Sequence, residues 1–267
     1  ESQDNFNRSV QNGHSPMDSL IGKAKSLVGA YLGMQAVKGI INASDEIVQT
    51  KARLDLMNDG LQTTEQLQNM IFQSAQRSRA SYADTANAVA QLGNRAKNAF
   101  NSNEEVIAFS EQLNKMFTIA GASQEEMSSA TLQLTQALGS GVLRGEEFNA
   151  VFEAAPNVMQ AVADYIGKPI GELKDLASEG EITADIVKKA MFAAADETNA
   201  KFESMPKTIG QIWQGIKNEA LMAFQPVLLK INEVANNPGF STLINNVSGA
   251  CSTIAIILLN IINLVCS

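Results

Sequence analysis

An all-α fold is what this sequence predicts: long amphipathic helices flanking a compact bundle of short helices, with an apolar helix at the C-terminal end. Three observations carry that prediction. Apolar residues recur mostly at three, four or seven positions, whereas β-branched and aromatic runs at period two are scarce. Six prolines among 267 residues leave room for long uninterrupted helices. Ser or Thr followed three residues later by Glu or Gln opens several of the periodic stretches, the mark of a capped helix start. At 45% hydrophobic residues the chain has material for a core, which argues against global disorder.

Residues 1–15 are polar and read as loose. From Pro16 an apolar stripe runs to about Asn58 through Leu20, Leu27, Tyr31, Met34, Val37, Ile41, Ile47, Leu54 and Met57. Gly22, Gly29, Gly33 and Gly39 interrupt it at about 1 kcal/mol each relative to Ala, which suggests close helix–helix approach. Asn58-Asp59-Gly60 punctuates the chain. Thr63 with Gln66 then opens a helix carrying Leu67, Met70 and Ile71, predicted to continue past Arg79.

Ser102 with Glu105 and Ser123 with Glu126 start two further helices by the same device. The first is predicted to bury Val106, Phe109, Leu113, Met116 and Phe117 and to stop near Gly121. The second is predicted to bury Met127, Leu134 and Leu138 and to stop near Gly139, with Gly139-Ser140-Gly141 as a turn. Shorter elements follow: Glu146–Glu153 with Phe148, Val151 and Phe152; a helix begun by Pro156 and ended by Gly167; Pro169–Ser178, ended by Gly180; and a helix capped by Thr183 that holds Ile186, Val187 and Met191. After Pro206 the period lengthens again through Ile209, Trp213, Ile216, Ala220, Phe224, Val227 or Leu228, Ile231 and Val234. Pro226 is expected to kink this helix, and Asn236-Asn237-Pro238-Gly239 to end it.

The stretch from Ala250 to Cys266 has no charged residue and would span about 26 Å as a helix, just short of a hydrocarbon core. Its apolar positions include Ile254 and Ile257, with Asn260 and Asn263 on one face. It reads either as a membrane-inserting segment or as a buried core helix. Four regions result: 1–60, Gly-containing and amphipathic; 61–206, the helical domain; 207–249, a long kinked helix and linker; and 250–267, apolar, the start of a longer region. The chain opens on Glu1 without a secretory pattern, and is expected to be a fragment of a longer protein or a processed product.

The net charge of −8 is concentrated in the middle: +1 over 1–101, −10 over 102–206 and +1 over 207–267. Such a block repels phosphate, so stable nucleic-acid binding is not expected. Pro169–Ser178 and the Thr183 helix have a helix-turn-helix outline, but Lys188 and Lys189 are the only cations the second helix offers, so a packing unit is the expected reading. Cys251 and Cys266 are the two cysteines and His14 the one histidine; neither a disulfide framework, a metal site nor a triad is expected from them. The acidic pairs Glu104-Glu105, Glu125-Glu126 and Glu146-Glu147 resemble glycosidase carboxylates in type, yet each lies at a predicted helix start, where the macrodipole favours negative charge. Neither an enzyme nor a cofactor is expected.

Residues 132–191 carry a longer and more specific pattern. A Gln-rich helix is followed by Gly139-Ser140-Gly141 and by Leu143-Arg144-Gly145-Glu146-Glu147-Phe148. Ala155-Pro156 then opens an Ala-rich helix that ends at Gly167, and after it come Gly171-Glu172-Leu173 and Glu179-Gly180-Glu181-Ile182-Thr183. In this string Gly139, Gly141 and Gly145 are expected at sharp turns or positive φ, and Arg144 is expected to tie its turn to Glu146 and Glu147 at a helix start.

The string resembles the tape measure domain of the tail length proteins of tailed bacteriophages and prophages. Weaker similarity reaches upstream to about Leu67 and downstream through residues 205–221; the first 60 residues match in general character alone. The resemblance implies a structural ruler in the tail tube lumen, around which tube subunits polymerise and which sets tail length. It also implies expulsion on infection, with help to genome entry through the host envelope. Implied partners are the tail tube protein, tail assembly chaperones, tail tip proteins and further copies of the chain, a trimer being favoured, with the host membrane at ejection. Implied locations are the virion tail, the host cytoplasm before assembly and the host membrane afterwards. A membrane-active or pore-forming helical protein is the alternative, and a peptidoglycan-cleaving helical domain a third reading.

Overall fold

The structure, a computed structural model, describes residue 39 and residues 42–236. His14, Cys251, Cys266, the start of the Pro16 helix and the apolar residues Ala250, Ile254, Ile257, Asn260 and Asn263 lie outside the described residues. Those described are almost entirely helical, with no strand among them and one isolated antiparallel bridge, Val142 to Thr183. The all-α expectation holds. The helices are α1 (residues 42–57), α2 (Thr64–Arg77), α3 (Tyr82–Arg95), α4 (Asn103–Ala120), α5 (Gln124–Ser140), α6 (Gly145–Ala154), α7 (Pro156–Ile166), α8 (Leu173–Glu179), α9 (Ala184–Ala193), α10 (Ala195–Ser204) and α11 (Ile209–Ala235). Short 3₁₀ turns occupy Lys97–Ala99 and Ile170–Glu172.

The chain divides into two compact units, one of residues 46–224 and one made of 1–45 with 225–267. In the first, α4 is the central element, packed by α2, α3, α7, α9 and α10. Its sequence explains that place, since Val106, Ile107, Phe109, Leu113, Met116 and Phe117 are all buried and cover more than one face. Phe109 lies edge-on to Phe100 at 5.3 Å and to Phe192 at 6.3 Å, so one ring joins α4 to the preceding 3₁₀ turn and to α9. Each fully buried side chain of this size contributes about 1.5–3 kcal/mol of transfer free energy. Of the second unit, the described part is held by the Ser44 hydroxyl donating to the Leu228 carbonyl at 2.6 Å and by Asn232 Nδ2 donating to Asp45 at 3.1 Å.

Helix starts follow the caps. Thr63 accepts from the Gln66 N–H while Gln66 accepts from the Thr63 N–H, and Ser123 with Glu126 repeats the reciprocal pair. The backbone N–H of Ser123, with its side chain, holds the Glu126 carboxyl below the ordinary carboxylate range. At Ser102 only half of the box forms. Its hydroxyl accepts from the Glu105 N–H, but the Glu105 carboxylate turns to the backbone and side-chain N–H groups of Asn101.

Five further expectations are corrected. The helix after Thr63 does not run past Arg79: α2 ends at Arg77, Arg79 adopts φ +56°, and Ser81 caps a separate helix by accepting from the Asp84 N–H. Gly139 and Ser140 are the last turn of α5 and not a turn of the chain, which bends at Gly141 with φ +91°. Pro169–Ser178 is a 3₁₀ turn running into α8. Met127 is half-buried and not a core residue. A tenth helix, Ala195–Ser204, occupies residues for which no element was foreseen.

Candidate functional site

Two constructions stand out, of which the first uses the residues that the sequence singles out. The first brings Gly141–Gly145 and Ser178–Thr183 together. The Leu143 N–H donates to the Ile182 carbonyl and the Ala184 N–H to the Gly141 carbonyl, each at 2.8 Å, beside the Val142–Thr183 bridge. Leu143 and Ile182 are both buried, so an apolar pair seals the clasp. Thr183 meanwhile caps α9 by accepting from the Ile186 N–H. Gly145 begins α6 with Ser178 Oγ at 3.4 Å from where a Cβ would stand, and the Arg144 guanidinium lies close to Gly180.

The rest of the string serves shape as well. Gly141, Gly167 and Gly180 take positive φ at helix ends, at 91°, 69° and 77°. Gly139 and Gly145 do not: Gly139 is helical, and a Cβ on it would stand 2.6 Å from the Arg95 carbonyl oxygen, so its bareness permits close approach of α5 to the end of α3. Gly171 is in the 3₁₀ turn with open space around it. Arg144 ties its turn to α6 by its backbone N–H, which donates to Glu147 at 3.2 Å; no ion pair joins its guanidinium to Glu146 or Glu147 among the described residues. Glu146 lies in the first turn of α6, as Glu104-Glu105 and Glu125-Glu126 lie in theirs. Phe148 is buried and stacks on Phe152 at 5.7 Å, Pro156 occupies the first turn of α7, and Leu173 is buried at the start of α8, just after Glu172, which pairs with Lys168 at 3.5 Å.

The helix-turn-helix outline resolves into packing. Lys188 is buried and paired with Glu105 at 3.2 Å, and Lys189 pairs with Asp185 one turn away, so neither cation is presented singly. A second charged cluster joins α2, α4 and α10. Arg77 and Lys115 both hold Glu111, at 2.6 and 2.8 Å, and Lys115 also reaches Asn199. Burial pushes the Glu111 carboxyl up, but hydrogen bonds from Arg77 and Lys115 outweigh it and hold the group below the usual carboxylate range. Arg79 extends the same fastening, lying 4.4 Å over the Phe202 ring and donating to the Met205 carbonyl at 2.9 Å.

The second construction was not foreseen. Within residues 209–224, α11 turns its polar face inward. Asn218 is 2% exposed. Its Oδ1 accepts the Tyr82 backbone N–H at 2.9 Å, and its Nδ2 donates to the Ala80 carbonyl at 2.8 Å and to Gln76 Oε1 at 3.2 Å. Gln214 donates to the same Oδ1 at 3.0 Å, while Gln76 reaches the Gly215 carbonyl. Tyr82 is enclosed beside this network, and burial raises its phenol to about 12. On the other side Ile209, Ile212, Trp213, Ile216 and Phe224 are exposed. The apolar period was plain in the sequence; that it faces outward was not. The available signal was Gln211, Gln214 and Asn218, three or four residues apart on the opposite face.

An open groove of about 640 Å³ lies between α3, α5 and the start of α11, lined by Ser81, Asp84, Asn114, Thr118, Gln124 and Gln211 among others. Its lining offers hydrogen bonds but no nucleophile paired with a base. Among the described residues no three His, Cys, Asp or Glu side chains are grouped to hold a metal ion, and no helix is long and apolar enough to cross a membrane.

A family model described as tape measure protein matches residues 38–228, from the approach to α1 well into α11. No curated protein and no solved structure matches the chain.

Proposed function

The chain belongs to the tape measure protein family, with a tape measure role in a phage tail, and from that premise we propose that it works as a structural ruler in the lumen of the tail tube. Tube subunits polymerise around the parent polypeptide until its span is covered, so helix length is converted into tail length. The carrying observation is the family match, which takes in both constructions described above, the Gly141–Thr183 clasp and the Asn218 anchor. The chemistry of the residues supports the same reading. The glycines, prolines and caps of 139–183 set turns and helix ends, and the paired carboxylates Glu104-Glu105, Glu125-Glu126 and Glu146-Glu147 stand at helix starts, which accounts for their pairing without a reaction.

The tail tube protein, tail assembly chaperones and tail tip proteins are the partners of this role. The acidic span 102–206 keeps the body from adhering to DNA moving through the same lumen. Before assembly the chain resides in the host cytoplasm. On infection it leaves the tube and helps the genome through the envelope, with the uncharged residues 250–266 as the part offered to the host membrane.

In-frame deletions within the long helical parts of the parent protein test the proposal. Tail length, measured by electron microscopy of assembled particles, shortens in proportion to the residues removed. Tails of unchanged length would refute the ruler.

A further inference from the structure

Residues 209–224 of α11 lie on the body with little apolar support. Asn218 is the one buried residue among them, and the half-buried apolar side chains are Leu221 and Met222 at the far end. What holds the near end is polar: Asn218 on Tyr82, Ala80 and Gln76, with Gln76 returning to the Gly215 carbonyl at 3.5 Å and to Glu219 at 3.4 Å. The helix needs none of these bonds to keep its own start. Thr208 accepts from the Gln211 N–H while Gln211 accepts from the Thr208 N–H, a reciprocal cap. Just before that cap Met205 is extended and Pro206 interrupts the helical run, so Met205–Lys207 is a joint between α10 and a separately closed α11. The body side of the joint is fixed, because Arg79 donates to the Met205 carbonyl and lies over the Phe202 ring.

We propose that residues 209–224 form a strap that swings off the body as an intact helix about Met205–Lys207 while the body stays folded. Opening frees the Ala80 carbonyl and the Tyr82 N–H, and it takes Gly210, Gln211 and Gln214 out of one wall of the polar groove. Magnitudes separate strap opening from unfolding. A net hydrogen bond shifts an equilibrium about 2- to 13-fold, so the three bonds of Asn218 hold the strap by roughly 10²-fold. Two half-buried apolar side chains add roughly tenfold. Unfolding of a domain is opposed by about 10⁴- to 10¹¹-fold, and the extensive core around α4 places this body well up that range. The strap therefore opens far more often than the body unfolds. Such a device goes beyond the tail-length role and does not rest on it.

Amide exchange on the native full chain tests the strap. The Tyr82 N–H stands at the first residue of α3, where no helical acceptor serves it, and donates to Asn218 Oδ1. Its protection is roughly 10³-fold and hardly changes in low urea, because little surface is uncovered on opening. The Leu113 and Phe117 amides of α4 are at least about tenfold better protected, and their protection falls steeply with urea. Equal protection and equal urea dependence at the two places would overturn the strap. So would exchange of Tyr82 at the rate of a free peptide, which would leave no closed state. A second test reads position. In a Cys251→Ser, Cys266→Ser background, nitroxides on Lys217→Cys and Ser129→Cys, both exposed sites, give one narrow distance. Adding Asn218→Ala brings a second, broad population with helical circular dichroism unchanged. A distance unaltered by Asn218→Ala refutes the latch, and loss of helix in that variant refutes independent opening. Neither measurement reads tail length, so their failure leaves the ruler standing.

Discussion

Asn218 Oδ1 accepts the backbone N–H of Tyr82 at 2.9 Å across 136 residues of sequence, and the same side chain donates to the Ala80 carbonyl. One amide thus fastens a helix whose apolar side faces away. Asn218→Ala leaves the buried Tyr82 N–H and the half-buried Ala80 carbonyl without this partner, at about 1–3 kcal/mol for the buried group and less for the other. Urea unfolding should show a loss of roughly 2–4 kcal/mol. A loss too small to measure would mean that residues 209–224 are held by something other than this anchor.

Glu111 sets an acid limit. Its folded-state carboxyl titrates below the ordinary carboxylate range, so in acid the unfolded chain binds the proton more readily. The stabilisation from its pairing with Arg77 and Lys115 is present above about pH 4.5 and is lost as pH falls through the depressed folded value. In chemical unfolding followed as a function of pH, Glu111→Gln is less stable than the native chain at neutral pH. The two curves converge in acid. A constant gap down to the lowest pH would exclude this group as the source.

The glycines of the motif separate by cause. Gly139→Ala places a methyl 2.6 Å from the Arg95 carbonyl oxygen, a backbone atom that cannot swing aside, and costs about 1–3 kcal/mol as an overpacked contact. Gly141→Ala meets no neighbour but must adopt φ +91°, a strain of about 1 kcal/mol or more. Gly171→Ala has open space and an ordinary backbone, so its effect stays within about 0.5 kcal/mol. Thermal unfolding of the three variants reads the order, and Gly171→Ala as the worst of them would contradict it.

Lys188 and Lys189 are adjacent but unequal. Lys188→Ala removes a buried cation that pairs with Glu105, and the melting temperature falls. Lys189→Ala removes an exposed partner of Asp185 and leaves it unchanged. Equal effects from the two would restore the idea of a presented basic surface.

What the sequence made legible was mainly local. Thr63 with Gln66, Ser123 with Glu126, and Thr183 each supply their own cap within three residues, and Gly121, Gly167 and Gly180 end helices where they stand. The break at Ser78–Ser81 was hidden because no glycine or proline marks it. Arg79 is held there by its guanidinium on Met205, a contact 126 residues away. The helix Ala195–Ser204 was missed because it follows α9 directly, with Ala194 as a junction that caps nothing by side chain. Within the motif, Gly141 and Thr183 were each recognisable, but their meeting depends on the course of three intervening helices. The inward turn of Asn218 was hidden for the opposite reason. A strong apolar stripe conventionally marks the buried side, and here a single polar residue outweighs it.

The clasp between Leu143 and Ile182 closes a stretch of about forty residues, which costs roughly 3 kcal/mol of chain entropy. Two backbone hydrogen bonds contribute about 1 kcal/mol each and cannot offset that by themselves. The buried Leu143–Ile182 pair and the packing of the intervening helices α6, α7 and α8 supply the rest. The clasp is thus expected to open together with those helices, and amide exchange at Leu143 and Ala184 reports that shared opening.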